Sequence, residues 1–472
     1  MDAAPRSTLL DKRFSRNGAA RAKGIGIVST TYPPGPHLPR AIQTALYARW
    51  RGRLLQTAAR RYGEVFTLHL VAPYAENLVV FSRPEHIREI FAGDPADLHA
   101  GEGNRLLVHI MGEHSLLLTD EGEHARARRL LMPAFVGSSL RGYRALVDGI
   151  AKAHVDRWVS GSTVHTLDRM NELTLDVIMQ VVFGMTDERR RDRLAPRLRR
   201  IVNINPIMFF GWKYPRLERR GPWKRFRENQ NAIDELLYAE IVERRAHPDP
   251  DARADVLSRL LAVGSGENPS DAPLSDAELR DQLVTLLLAG HETTASALSW
   301  ACHELAANPD IQDQARRAAR DGDEKYLEAV LKEAMRLHTV IAATGRKLTR
   351  DMTIGGYALP KGTIVSTSIL LAHQRPEAFP DTLTFRPGRF LDGSVAANTW
   401  LPFGGGVRRC IGAGFSLMEG TAVLREILTR YRLSLPAGTT TEPARIRNIT
   451  HIPAHGARVV VTADTTVPDG KS

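Results

Sequence analysis

Two cysteines, Cys302 and Cys410, occur in 472 residues, and the second stands where it could do chemistry. The segment Pro402-Phe403-Gly404-Gly405-Gly406-Val407-Arg408-Arg409-Cys410-Ile411-Gly412 places it behind three glycines. Consecutive glycines permit backbone angles and close approaches that a side chain blocks. Main-chain N–H groups can therefore turn toward the Cys410 sulfur and stabilise a thiolate. Phe403 offers an apolar wall, and Gly412 opens an amphipathic helix (Phe415, Leu417, Met418, Val423, Leu424, Ile427, Leu428). The N-terminus of such a helix favours an anion. A soft thiolate held in this way suits iron, and haem iron accepts one such ligand from a protein. Three plainer readings stand beside it. A lone cysteine is usually a small buried hydrophobe, which is also the reading for Cys302. A phosphate-cradling loop lacks the Lys-Ser/Thr that should follow Gly406, and a cysteine nucleophile needs a histidine partner that spacing alone does not locate.

A second constellation lies within an apolar stretch. Ser275-Asp276-Ala277-Glu278 fits a capping box, so a helix starts there; it runs to about Ala307, where Asn308-Pro309 stops it. At ~1.5 Å per residue it is roughly 48 Å long, enough to cross a domain. Its middle carries Ala289-Gly290-His291-Glu292-Thr293-Thr294. A carboxylate inside an apolar helix costs several kcal/mol unless partnered or solvated. The Ala289-Gly290 pair leaves room for something flat against the backbone, and a mid-helix threonine can turn its hydroxyl back to a carbonyl. Groove, proton donor and relay thus share one turn, although a helix that simply surfaces there explains the same residues.

Two further sets are weak alone. Glu333 and Arg336 share a helix face at i, i+3, a common surface pair contributing ~0.3 kcal/mol. His124 and Arg128, at i, i+4, also share a face.

The pattern Phe-x-x-Gly-x-Arg-x-Cys-x-Gly, filled by Phe403, Gly406, Arg408, Cys410 and Gly412, resembles the haem-binding loop of the cytochrome P-450 family. Ala289-Gly290-His291-Glu292-Thr293 is similar to that family's oxygen-activation motif. Glu333-Ala334-Met335-Arg336 resembles its Glu-x-x-Arg motif, with Arg389 of Pro387-Gly388-Arg389-Phe390 as the third member of an ionic network. Gly388 replaces a glutamate of that element, and Thr339 stands where a proline usually follows Arg336-Leu337-His338. The likeness extends from about Pro33 to Val461.

The resemblance implies a mainly α fold with small β-sheets, a single triangular unit with haem b between the long central helix and the Cys410 loop. It implies Cys410 as the axial thiolate, with His124, Arg128, Arg346 and Arg408 binding the haem propionates. His124 stands where many relatives have tryptophan. Ala289 and Gly290 would border the haem, Glu292 would gate protons, and Thr293 would hydrogen-bond the bound oxygen. His291 fills a variable position and receives no role. The reaction implied is reductive activation of O2 and insertion of one oxygen atom into a hydrophobic organic substrate. Electrons would come from a separate ferredoxin or flavodoxin type donor, since the 472 − 410 = 62 residues after Cys410 leave no room for a fused reductase. A peroxide-using or isomerising enzyme would usually lack the acid–threonine pair. A haem-based gas or redox sensor would need neither that pair nor an apolar pocket.

The elements that position these groups follow from pattern and composition. Val65–Leu70 and Leu78–Phe81 alternate as a hairpin, and another hairpin is expected from Ile446 to Val461 around Pro453-Ala454-His455-Gly456. Most of 110–340 reads as helix. Hydrophobic residues at 43% and charged residues at 25% are ordinary for a globular chain, and two cysteines exclude a disulfide-stapled scaffold or a multi-cysteine zinc site. No stretch reaches the roughly 18 apolar residues of a membrane span, and residues 1–30 have no apolar signal core, so the expected location is cytoplasmic. Residues 1–30 read as a disordered arm, 31–464 as one catalytic unit and 465–472 as a tail. The net charge of +11 is carried by 54 arginines and 10 lysines. Arginines between 186 and 250 surround Ile207-Met208-Phe209-Phe210-Gly211-Trp212, a candidate for weak peripheral membrane contact. The blander reading is a solvated helix pair with an apolar connection. No helix-turn-helix, RRM or zinc-finger signature points to nucleic acid.

Overall fold

Ser275 caps the central helix as expected. Its hydroxyl accepts from the Glu278 N–H while the Glu278 carboxylate accepts from the Ser275 N–H, and the helix runs Asp276–Ala307 over 32 residues. The computed structural model describes residues 32–184, 188–202, 208, 215–246, 255–263 and 272–464. The expectations for 1–30 and 465–472, and for Ile207–Trp212 apart from the buried Met208, lie outside the described residues. A helix apolar on nearly all sides must be enclosed. Helix Thr166–Phe183 packs along it, with Glu324–Leu337 and Gly221–Ala246 against other faces. One large apolar cluster joins these helices to Ala413–Arg430, and Cys302 is fully buried within it. Burial lifts the Cys302 thiol to about 12, so it stays a neutral core residue.

The architecture is mainly α with small sheets. Val65–His69 and Asn77–Phe81 form the expected hairpin, at the edge of a five-stranded sheet that continues through Ile364–Ser368, Ala343–Leu348 and Leu98–His99. Asn77–Phe81 and Ile364–Ser368 run parallel. Strand Ala343–Leu348 brings Arg346 inward. Helices Glu188–Val202 and Gly221–Ala246 form the expected pair around the arginine-rich segment, with Asn229 Nδ2 donating to the Arg197 carbonyl at 3.0 Å.

The C-terminal hairpin differs from expectation. Ala444–Arg447 pairs with Thr450–Pro453 across a turn at Asn448-Ile449. Arg458–Ala463 joins a different sheet, between Thr163–His165 and Tyr431–Ser434. The physical reason is Asn448, at φ 53, one of the few side chains that tolerates the left-handed region in a tight turn. Pro453–Gly456 carries the chain between sheets instead of closing a hairpin. No helix among the described residues is long and apolar enough to cross a membrane.

Candidate active site

The Cys410 loop is fastened from two sides. The Cys410 N–H donates to the Phe403 carbonyl at 2.9 Å, closing the loop on itself. Gly406 has φ 64, and a Cβ there would lie 2.0 Å from the Phe91 carbonyl oxygen. A Cβ on Gly405 would fall 2.3 Å from the Phe91 ring. These glycines therefore admit helix Pro84–Ala92. The N–H that reaches the Cys410 sulfur is that of Gly412, at the N-cap of Ala413–Arg430, not one from the glycine triplet. Phe403 packs edge-on to Trp400 at 5.7 Å.

Cys410 has accessible surface although it lies deep in the protein, because that surface faces an internal cavity of about 970 Å³. Burial pushes its thiol upward, opposed by the Gly412 N–H, Arg128 and Arg409. The same cavity is lined by Ala289, Gly290, Glu292 and Thr293 of the central helix, and by His124, Arg128, Arg346, Phe403, Arg408 and Gly412. The sequence-predicted site residues are thus brought to one space, apart from the ionic network behind it.

Arg408 is placed by a chain of polar contacts that starts on the central helix. The Asp281 carboxylate accepts from the His114 N–H at 2.9 Å, the Gln282 side chain from the Leu116 N–H at 3.1 Å, and Thr285 meets Ser115 at 2.7 Å. The segment thus fixed offers its Leu116 and Thr119 carbonyls, and then Asp120, to the Arg408 guanidinium. Asp120 also accepts from the Gly101 and Glu102 N–H groups. Arg346 donates to the Gly345 carbonyl at 2.8 Å.

This wall has more cations than anions. Burial and then Arg408 lower Arg346 to about 10, while burial and Arg128, against Asp120, lower Arg408 to about 10. His124 is lowered to about 4 by burial and by Arg408 and Arg128, so it is neutral at neutral pH. Buried like charges are unfavourable unless an anion joins them. Two carboxylates on a flat apolar body are such a partner, and a single open thiol is the iron donor haem requires from a protein. The residues fit haem. Among the described residues no cluster of His, Cys, Asp and Glu offers a rival metal site.

Across the cavity the central helix runs unbroken through residues 289–294. The Thr293 hydroxyl donates back to the Ala289 carbonyl at 2.8 Å. Gly290 makes room for Ile178 of helix Thr166–Phe183, whose Cδ1 would lie 2.8 Å from a Cβ, so its small size serves helix packing as well as the cavity. His291 points away, with Nδ1 2.6 Å from the Leu287 carbonyl. Glu292, 5% exposed, has partners that spacing did not show. Arg447 Nε donates to its Oε1, and so does the Thr450 hydroxyl at 3.0 Å. Burial holds the carboxyl above its ordinary range, and Arg447 and Thr450 pull the other way.

Sequence reading also missed a buried acid behind Cys410. Glu419, 1% exposed, is held well above the carboxylate range by burial, with Thr294 acting in the opposite direction. Thr294 in turn lies 3.1 Å from the Ser416 hydroxyl. The signal available was a glutamate on the apolar face of the Gly412 helix.

The predicted ionic network is present and larger than expected. Glu333 Oε1 accepts from Arg336 at 2.9 Å, from Arg389 at 3.0 Å and from the Arg386 N–H at 3.0 Å. Arg336 also donates to the carbonyls of His373, Thr382 and Thr384. His373 Nε2 accepts the Leu401 N–H at 2.8 Å, which leaves the proton on Nδ1, 3.3 Å from the Thr339 hydroxyl. The segment leading to Cys410 is thereby tied to helix Glu324–Leu337.

The fold and this site define a haem-thiolate oxidoreductase, and comparison with known proteins agrees. The family model for cytochrome P-450 matches residues 33–459. The chain is 56% identical over 432 residues to cytochrome P-450 135A1 of Mycobacterium tuberculosis (strain ATCC 25618 / H37Rv), covering 92% of this chain and 95% of that one. It is 39% identical over 445 residues to cytochrome P-450 135B1 of Mycobacterium bovis (strain ATCC BAA-935 / AF2122/97), 93% of each. Retinoic acid bound cyanobacterial CYP120A1 is similar with a TM-score of 0.80 and 26% identity, over 92% of this chain and 100% of that one. The chain belongs to the cytochrome P-450 family, oxidoreductases of monooxygenase type whose prosthetic group is haem b on a cysteine thiolate.

Proposed function

We propose that this chain uses Cys410 as the thiolate ligand of haem b and inserts one atom of O2 into a hydrophobic organic substrate. The observation that supports this most directly is one cavity bounded by the open Cys410 thiol, the cation-rich wall and the helix turn at Ala289–Thr293. Bound there, haem supplies the redox chemistry of oxygen activation, which a thiolate ligand favours. Arg128, Arg346 and Arg408 would hold the propionates by charge-assisted hydrogen bonds, with neutral His124 beside them. The Gly412 N–H and the helix behind it would favour the anionic sulfur once iron is bound. Arg447 and Thr450 hold the Glu292 carboxyl through Oε1, so a proton it takes up sits on Oε2, and the Thr293 hydroxyl offers a proton toward the cavity when it leaves the Ala289 carbonyl. Leu106, Ile110, Leu286, Val340, Ile341 and Ile449 exclude water around the substrate. Retinoic acid in the cyanobacterial neighbour supports an apolar ligand.

Electrons come from a separate ferredoxin or flavodoxin type donor. The intact acid–threonine pair favours oxygen chemistry over peroxide use, isomerisation or sensing. The test is the absorption spectrum of the reduced protein under CO. A thiolate-type Soret band is expected in the wild type and its loss in Cys410→Ser, whereas a wild type that is folded and haem-replete without that band overturns the reading.

A further inference from the structure

Both partners of Glu292 belong to one hairpin. Arg447 and Thr450 face each other in the register of Ala444–Arg447 and Thr450–Pro453, and the Thr450 hydroxyl is also 2.8 Å from the Arg447 carbonyl. The two residues between them, Asn448 and Ile449, line the cavity. A two-residue turn has no slack, so its tip moves with the pair that closes it. The hairpin forms a sheet of its own, fixed beyond the tip by the bridge between Ile341 and Thr450 and by the His451 N–H on the Val340 carbonyl at 2.8 Å. Its tip therefore touches the ligand space while its closing residues hold the acid.

We propose that Arg447 is a positioning residue for Glu292, and that the hairpin makes the proton state of Glu292 depend on what fills the cavity. A ligand pressed against Asn448 and Ile449 shifts the Arg447–Thr450 pair and loosens its hold on Oε1. The carboxyl, deprived of its cation in a buried place, then takes up a proton that it can pass on. This rests on the reading of Glu292 as the proton-delivering group. Among the described residues the charged and titratable groups at this corner are Arg447 and His451 from the hairpin, Arg51 of Arg40–Tyr62, which adds to burial in lowering His451 to about 4, His291 from the central helix, and Arg199 of Glu188–Val202, which acts on His291 together with Arg447. His291 is lowered to about 4 and is neutral at neutral pH, which leaves Arg447 as the cation bonded to the carboxyl.

The experiment is infrared titration of the haem-loaded protein, following the protonated-carboxyl band that disappears in Glu292→Gln. In Arg447→Ala the pH of half-appearance should rise by at least ~1 unit, a tenfold change in proton affinity, and Arg447→Lys should return most of it. Should Arg447→Ala not fold, Arg447→Gln, which removes the cation but keeps much of the side chain's volume, carries the test. Ile449→Trp extends the tip into the cavity, and 4-phenylimidazole fills it from the other side. Each should raise the titration midpoint without altering Arg447 or Glu292. A midpoint unmoved in Arg447→Ala, or unmoved in Arg447→Gln when Arg447→Ala does not fold, overturns the positioning role. A midpoint unmoved by both Ile449→Trp and 4-phenylimidazole overturns the coupling. If the CO spectrum shows no thiolate band, the functional reading has failed; if it does while the Glu292 band stays insensitive, only this inference has failed.

Discussion

Thr293 is held in waiting by its own helix. A hydroxyl that donates to a carbonyl four residues back is satisfied without a ligand, and it can swing into the cavity because Ala289 and Gly290 leave that side open. On the proposed role, replacement by alanine removes a proton route without disturbing the packing. Thr293→Ala should therefore keep oxidising NAD(P)H while product per NAD(P)H falls several-fold and hydrogen peroxide accounts for the difference; unchanged coupling excludes Thr293 from proton delivery. Glu419 makes a contrasting case. Its carboxyl is raised by burial, so the folded protein retains a proton that the unfolded chain releases above about 4.5. The associated stability is fully present below that pH and is lost as pH rises toward the folded value. Glu419→Gln, neutral at every pH, should match the wild type in urea midpoint near pH 4 and exceed it increasingly toward pH 8; a constant difference refutes this. Cys410, Thr293 and Glu333 were legible in the sequence because each sits in a short motif whose neighbours explain it. Arg447 was not, since its meaning depends on a partner 155 residues away and on a strand register.

At the scale of elements, local signals worked where one residue dictates the backbone. Ser275 and Glu278 fixed the start of the central helix, and the 3.6 period fixed the faces of Glu324–Leu337 and Ala413–Arg430. The final hairpin was misplaced because Pro-Ala-His-Gly is a stronger turn signal than Asn-Ile, whereas the left-handed Asn448 is secured by packing on Glu292 and by the Ile341 bridge. The glycine triplet shows a related limit. Its freedom was evident, but the neighbour it admits, Phe91, lies over 300 positions earlier. Two substitutions separate freedom from closeness. Gly404, at φ 65 with nothing near its missing Cβ, should accept alanine at the left-handed penalty of ~1–2 kcal/mol. Gly406→Ala adds an overlap with backbone oxygen and should lose haem on purification, read as the ratio of Soret to protein absorbance. Equal haem content in the two variants would show that the loop does not need Phe91. The Glu333 network acts between elements in the same sense. Arg336→Ala leaves a buried carboxylate without its closest cation and three carbonyls without a donor, a loss of ~3–5 kcal/mol that urea titration should register as a lower midpoint.

Across the whole molecule, much of the arginine surplus joins segments distant in sequence. Arg144 and Arg425 share Asp148 and Glu324, and Arg316 and Arg320 share Asp464. Composition showed the excess but not this use, because ion pairs between elements follow from topology. The same topology sets the long-range order. Thr166 bonds the Ala457 carbonyl, 291 residues on, and among the described residues strand Thr163–His165 pairs with Arg458–Ala463 alone. Such distant pairings form late. On the ribosome, Glu292 must be followed by 155 more residues before its cation exists, so a nascent chain carries the central helix with its acid unpaired. A chain stalled at Pro443 should therefore remain open to protease and take up no haem, and release of the full-length chain should close it; resistance of the stalled chain would show that the earlier elements suffice. On the expected outcome cofactor capture waits for the hairpin 444–453, whose tip completes the pocket lining.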